Sequence, residues 1–206
     1  MSKFTKCGRS TGRKGRIINL IEEIWIYMKI VRRVRRLDHK FRFQLLAKWL
    51  AGNYPACKMA DVGGSKGLLA LLLNKQGWNC EVIDPVYPDL ITKYKDIDND
   101  KRILVSKDEA SKIPRIVKNF EKDMMADYDL LIGLHAHGCN IKIIDGCKKY
   151  GKKFVLLPCC VVGEPIEIKP GIKWFDSLVK YAQDMGFNVE IDALNFKGQY
   201  KIIFVR

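Results

Sequence analysis

From residue 58 onward, apolar positions fall into two alternating patterns. Short continuous runs at 58–62, 79–84, 128–134 and 153–157 read as buried strands, and 102–105 reads as a weaker one. Between them, apolar residues recur at steps of three and four. That spacing predicts helices at 68–76, 111–126, 141–150 and 174–185. Gly77, Gly151 and Gly186 close three of these helices. Two last runs, 188–195 and 200–205, flank Phe196-Lys197-Gly198-Gln199. A turn that tight makes its two strands antiparallel.

Strands alternating with helices predict right-handed crossovers and a mostly parallel sheet covered on both faces. The expected fold is therefore α/β, a Rossmann-like doubly wound sheet that ends in an antiparallel hairpin. Ahead of it, Phe41, Leu45, Leu46, Trp49 and Leu50 mark a helix at 41–51, ended by Gly52-Asn53-Tyr54-Pro55. Ile17, Leu20, Ile21, Ile24, Met28, Val31 and Val34 form another helical stripe. Trp25 is read as part of that apolar face. Composition places a basic arm and helical extension at 1–50 and the α/β domain at 51–206.

Apolar residues make up 48% of the 206 residues, enough to fill a core. Apolar stretches are shorter than the roughly 18 residues a membrane span needs. Glu22, Glu23 and Lys29 break the first apolar segment, so no secretory signal is expected. Seven cysteines, an odd number without C-x-x-C spacing, point to a reducing intracellular (cytoplasmic) setting.

Charge is the uneven feature. Residues 1–42 hold 13 Lys/Arg against three acids, or +10 of the net +14. Arg32, Arg33, Arg35 and Arg36 cluster near the end of the first helical stripe. Such a patch either solvates a helix face or tracks phosphates, releasing counterions as it binds. Concentration at one end favours a nucleic-acid partner. Lys93-Tyr94-Lys95 and the lysines at 148–153 read as solvated surface that could extend the track.

The most informative segment is Asp61-Val62-Gly63-Gly64-Ser65-Lys66-Gly67, between a strand and a helix. Its glycines let the backbone turn sharply and approach a ligand closely. Asp84 ends the next strand, 17 residues beyond Gly67. An acid there can accept both hydroxyls of a ribose. The spacing fits neither Gly-x-Gly-x-x-Gly nor a P-loop. Asp61, so close to the glycines, suits a ligand with an amino or sulfonium group better than a pyrophosphate.

This segment, Asp-x-Gly-x-Ser-x-Gly with an acid ending the next strand, resembles the class I S-adenosylmethionine-dependent methyltransferases. The resemblance covers residues 58–157 and implies a sheet ending in an antiparallel hairpin. It implies that Gly63, Gly64, Ser65 and Gly67 line the methionine and ribose part of S-adenosylmethionine. Asp61 would anchor the loop or the methionine amine, Asp84 the ribose, and Asp108 the adenine. Ser65 departs from the pattern, which has a central glycine there.

Two strand ends should face the same crevice. One is Gly133-Leu134-His135-Ala136-His137-Gly138, the other Pro158-Cys159-Cys160. The pair looks like a methyltransferase-like subgroup with RNA-modifying members. His135 or His137 could act as base on the acceptor, since imidazole titrates near neutrality. His135 could equally pack at the strand end and bond to backbone. Cys159 could be a nucleophile on a pyrimidine ring, although adjacent cysteines point in different directions and small apolar cysteines are common in cores. A metal site from His135, His137, Cys139 and Cys159 matches no standard zinc spacing, so no metal is expected. Neither Asn/Asp-Pro-Pro-Tyr/Phe nor an acid follows the fourth strand, which leaves the acceptor atom open.

The expected function is methyl transfer from S-adenosylmethionine to RNA, with tRNA or rRNA first. The rivals are a methyltransferase of a small molecule or protein, and a non-catalytic nucleic-acid-binding protein of the same fold.

Overall fold

The computed structural model describes residues 36–168 and 170–206. The basic arm, the stripe at 17–34, Trp25, Arg32, Arg33 and Arg35 lie outside the described residues. Arg36 is exposed. Residues from Leu37 to Arg206 form one compact unit.

Its elements, in order, are α1 (Arg42–Asn53), β1 (Lys58–Val62), α2 (Leu68–Asn74), β2 (Asn79–Ile83), β3 (Lys93–Lys95), β4 (Arg102–Leu104), α3 (Lys107–Ser111), β5 (Arg115–Ile116), β6 (Leu130–Leu134), α4 (Asn140–Tyr150), β7 (Lys153–Leu157), α5 (Trp174–Asp184), β8 (Glu190–Ala193) and β9 (Lys201–Phe204). Seven strands make the main sheet in the order β5-β2-β1-β6-β7-β9-β8. The first five run parallel, and β9 is antiparallel to both β7 and β8. This is the doubly wound sheet with a closing antiparallel hairpin that the periodicity predicts.

The central strands are apolar throughout because both faces are covered. Met59 and Val82 face a layer with Leu46, Leu50, Leu69, Leu73 and Phe196. Ala60, Leu131 and Phe154 face the other layer, with Ile141, Ile144, Leu178 and Ala182. Each fully buried leucine contributes about 1.5–3 kcal/mol. Helix α1 supplies Leu46 and Leu50, both fully buried, to the first layer. It is thus part of the compact unit, whereas the charge profile draws a boundary after residue 50. Charge counts along the sequence say nothing of the face that α1 buries.

Two expected elements differ. The run at 102–105 does not join the main sheet: β4 pairs antiparallel with β3 in a separate two-stranded ribbon. The expected helix at 111–126 is not formed. Pro114 has no amide for a helix ladder and disfavours helical backbone before it. Ser106 caps the short α3 by accepting from the Glu109 amide at 3.1 Å. After Pro114 the chain becomes β5 beside β2, with Val82 opposite Arg115 and Ile83 opposite Ile116. A 3-10 turn at Lys122–Asp127 follows.

The loops after β6 and β7 are locked together. Gly138 and Gly163 approach so closely that a Cβ on Gly138 would stand 2.9 Å from the Gly163 carbonyl oxygen. Next to Gly163, Glu164 caps α4 from outside the helix. Its carboxylate accepts from the Asn140 amide (2.9 Å), the Asn140 side-chain nitrogen (2.7 Å) and the Ile141 amide (3.0 Å). A carboxylate there satisfies orphan amides and complements the helix dipole. Replacing Glu164 by Ala should lower stability to urea by about 1–2 kcal/mol. An unchanged urea midpoint would show that the cap carries no weight.

Candidate active site

The carboxyl ends of β1, β2 and β6 frame one crevice, as expected for this sheet type. A cavity of about 560 Å³ lies there, in the range of small-molecule sites. Val62, Ile83 and Phe120 give it apolar walls. Gly63, Asp84, His135 and His137 also reach it.

The glycine loop has a demanding conformation. Gly63 and Gly67 both have positive φ, at 69° and 78°. Gly64 is required for another reason: a Cβ there would lie 2.4 Å from Asp61 Oδ2. Ser65 has φ 47°, a left-handed geometry that glycine adopts freely. Ser65 therefore holds this left-handed geometry at a conformational cost.

Asp84 is 9% exposed and holds this turn from the neighbouring strand. Its Oδ2 accepts from the Ser65 amide at 3.0 Å and its Oδ1 from the Val86 amide at 2.9 Å. A carboxylate has about four acceptor sites, so each oxygen keeps one for a ligand hydroxyl.

Asp61 lies beneath the loop, 1% exposed, and its Oδ2 has no hydrogen-bond partner. Burial pushes its carboxyl up to about 7; Arg115 opposes the shift and Asp84 adds to it. Arg115 was not foreseen from the sequence, because the residues around it read as helix. It packs under the loop: a Cβ on Gly67 would meet its guanidinium at 3.2 Å. Its Nη1 is buried without a partner.

Asp108 is not brought to this site. It sits in α3, its side chain 75% exposed, paired with Lys112 at 2.6 Å. The strand that it follows, β4, is outside the main sheet. The third strand of that half of the sheet is β5, and the residues after it that line the cavity are Asn119 and Phe120. Pro114, between two helix-like runs, is the sequence signal that could have located them.

His135 and His137 both line the cavity, in different settings. His135 has φ 58°, and its amide donates to the Leu157 carbonyl at 3.1 Å. Its ring stacks on His39, with centroids 5.4 Å apart and planes at 11°. Its Nε2 lies 3.1 Å from the Gln199 carbonyl. A carbonyl only accepts, so Nε2 carries the proton and Nδ1 keeps the lone pair. Burial lowers the His135 pKa, against the Gln199 bond that raises it. His137 is exposed.

The cysteines after β7 are not splayed apart as an extended backbone would have them. The Cys159 and Cys160 sulfurs are 3.7 Å apart. Burial and the Cys160 thiol push Cys159 up to about 11. In this state it is a neutral thiol, unlike the activated thiolate of a cysteine nucleophile. The six cysteines among the described residues are free.

No family model matches the chain. The chain is 30% identical over 151 residues to the "Probable tRNA (uracil-O(2)-)-methyltransferase" of Caenorhabditis elegans, a stretch covering 66% of this chain. The match covers 25% of that curated relative. Among solved structures, magnesium protoporphyrin IX methyltransferase from Synechocystis PCC 6803, with bound SAM, has a TM-score of 0.48 at 15% identity, over 82% of this chain and 79% of that one. Precorrin-6y C5,15-methyltransferase from Geobacter metallireducens GS-15 has a TM-score of 0.49 at 12% identity, over 84% and 91%. Among the described residues no helix is long and apolar enough to cross a membrane.

Two predictions follow from the loop. The folded pKa of Asp61, about 7, is above the unfolded carboxylate value of about 3.9. Between those values the folded state holds the proton that the unfolded chain has lost. Asp61 therefore costs stability as pH rises from 4 to 7, by about 4 kcal/mol for a shift of this size. Asp61→Asn should gain on the parent progressively over that window in urea denaturation. A difference independent of pH would contradict the assignment. Ser65→Gly should raise stability by about 1 kcal/mol by relieving left-handed strain; an unmoved or lowered melting temperature would argue against that strain.

Proposed function

We propose that this chain is an S-adenosylmethionine-dependent methyltransferase acting on RNA, with tRNA as the acceptor class and an oxygen as the methylated atom. One observation carries the reading: a glycine turn held by Asp84, with an unpartnered buried carboxylate beneath it, opens onto a ligand-sized cavity. Gly63 and Asp84 reach that cavity directly, and the Asp61 carboxylate, unpartnered at Oδ2, supports the turn from beneath, where it fills the space under Gly64. Gly63, Gly64, Ser65 and Gly67 would line its methionine and ribose part, and Asp84 would receive the ribose hydroxyls. Asn119 and Phe120 would take the adenine, the role first given to Asp108. When bound, the cofactor supplies an electrophilic methyl group on a sulfonium.

The residues of the chain supply placement and proton handling. His135 and His137 stand at the strand end beside the acceptor side of the cavity. The lone pair on His135 Nδ1 is available to an acceptor proton. Cys159, a neutral thiol outside the cavity lining, is not assigned the nucleophile's part. The RNA assignment draws on the name of the C. elegans relative and on the charge of residues 1–42. Arg32, Arg33, Arg35 and Arg36 would hold phosphates, so affinity should fall steeply with salt.

Calorimetry with S-adenosylmethionine, then total RNA incubated with methyl-labelled cofactor and digested to nucleosides, tests the reading. The expected results are saturable heat, its loss in Asp84→Ala, and label in one O-methylated nucleoside. Replacing the four arginines by Ala should flatten the salt dependence of RNA binding. Heat without labelled RNA would favour a small-molecule or protein acceptor. No heat at all would favour a non-catalytic binding protein.

A further inference from the structure

His137, Cys159 and Cys160 stand as a cluster beside the cavity, and nothing above uses them together. One ligand atom from each lies within 4.8 Å of the other two. We propose that these three side chains form a zinc site, with His137 nitrogen and two cysteine sulfurs as ligands.

The sulfur spacing is the first argument. Two thiolates on a tetrahedral zinc, each about 2.3 Å from the metal, stand about 3.8 Å apart. The Cys159 and Cys160 sulfurs are 3.7 Å apart. A disulfide would need about 2.05 Å. The chain has thus turned both side chains to one side, as a shared cation requires and as an extended strand end would not provide.

Ligand chemistry is the second argument. Two sulfurs and an imidazole are borderline-soft donors that select zinc over magnesium or calcium. Two thiolates also balance its charge. Both zinc-bearing segments are held in place independently of the metal. His137 lies between His135, anchored through its amide to Leu157, and Gly138, packed on Gly163. Glu164 ties the loop that carries the cysteines to the start of α4.

Three protein ligands leave a fourth position for a water or substrate oxygen, the pattern of catalytic rather than structural zinc. His137 lines the cavity, so the cation would stand at its wall. A hydroxyl bound there becomes a stronger acid. This use of the metal rests on the function proposed above; the site itself does not. Sequence spacing hid it, because adjacent cysteines after a strand match no zinc signature.

The test uses the full chain, purified under reducing conditions. Elemental analysis after zinc loading should give one zinc per chain. Cobalt(II) in its place should give thiolate charge-transfer bands and the visible bands of a tetrahedral ion. Cys159→Ser, Cys160→Ser and His137→Ala should each weaken zinc binding by at least about 10–100-fold. Cys57→Ser, remote from the cluster, should leave it unchanged. Wild-type chain that takes up no zinc, or cobalt spectra without thiolate bands, would overturn the proposal. So would zinc binding that survives all three ligand variants. Calorimetry with S-adenosylmethionine on the same samples separates the two readings. Cofactor heat without metal uptake would remove the zinc site alone, and metal uptake without cofactor heat would remove the methyltransferase reading alone.

Discussion

Two aspartates fix the turn on which this molecule depends. Asp84 grips the Ser65 and Val86 amides from the tip of β2, and Asp61 fills the floor under Gly64. The bond from Ser65 to Asp84 crosses between strands and needs β1 and β2 side by side in register, with Val62 opposite Ile83. The sheet thus sets the distance between the acids, and the acids set the path of the loop. Strain gathers at the same edge. Ser65 and His135, neither of them glycine, have positive φ, and they follow β1 and β6. Such conformations persist only where the surroundings over-determine them. Here the fully buried core strands beneath supply that rigidity.

Most of this was legible in the sequence because it is local. The glycine turn, its flanking strand and helix, and Asp84 are read from residues close together in the chain. The hairpin was legible from the Gly198 turn between two apolar runs. What failed depends on which strands become neighbours. Residues 102–105 look like a strand and are one, but β4 pairs with β3 and not with the main sheet. Asp108 was misplaced with it, and Arg115, Asn119 and Phe120 were missed in a run that Pro114 takes out of helix. Side-chain direction was equally hidden. Periodicity has adjacent cysteines diverging, whereas the turn after β7 brings their sulfurs together.

The closing hairpin does more than end the sheet. Its turn carries Gln199, whose carbonyl receives the His135 Nε2 proton. His135 is tied at its amide to Leu157 at the end of β7. The ring itself meets Gln199 and the stacked His39, and the Gln199 carbonyl selects the Nε2–H tautomer of the neutral ring. The stacked His39 ring has Arg42 beside it, with Nη1 3.1 Å from Nδ1. Two stacked imidazoles beside a guanidinium favour the uncharged ring, in line with the direction that burial imposes on His135. A basic neighbourhood thus favours the neutral imidazole over the imidazolium.

The floor of the site obeys the same rule, with the shift in the other direction. A carboxyl buried as deeply as Asp61 weakens the fold when ionised, and Arg115 offsets only part of that cost. An amide of the same shape would remove the charge altogether. A carboxyl at this position makes physical sense where a cation arrives above it, because a ligand that binds only the folded state adds to its stability. Burial thus holds both groups toward their uncharged forms, raising the Asp61 carboxyl and lowering the His135 imidazole. The sheet separates the two environments by placing them on the ends of different strands.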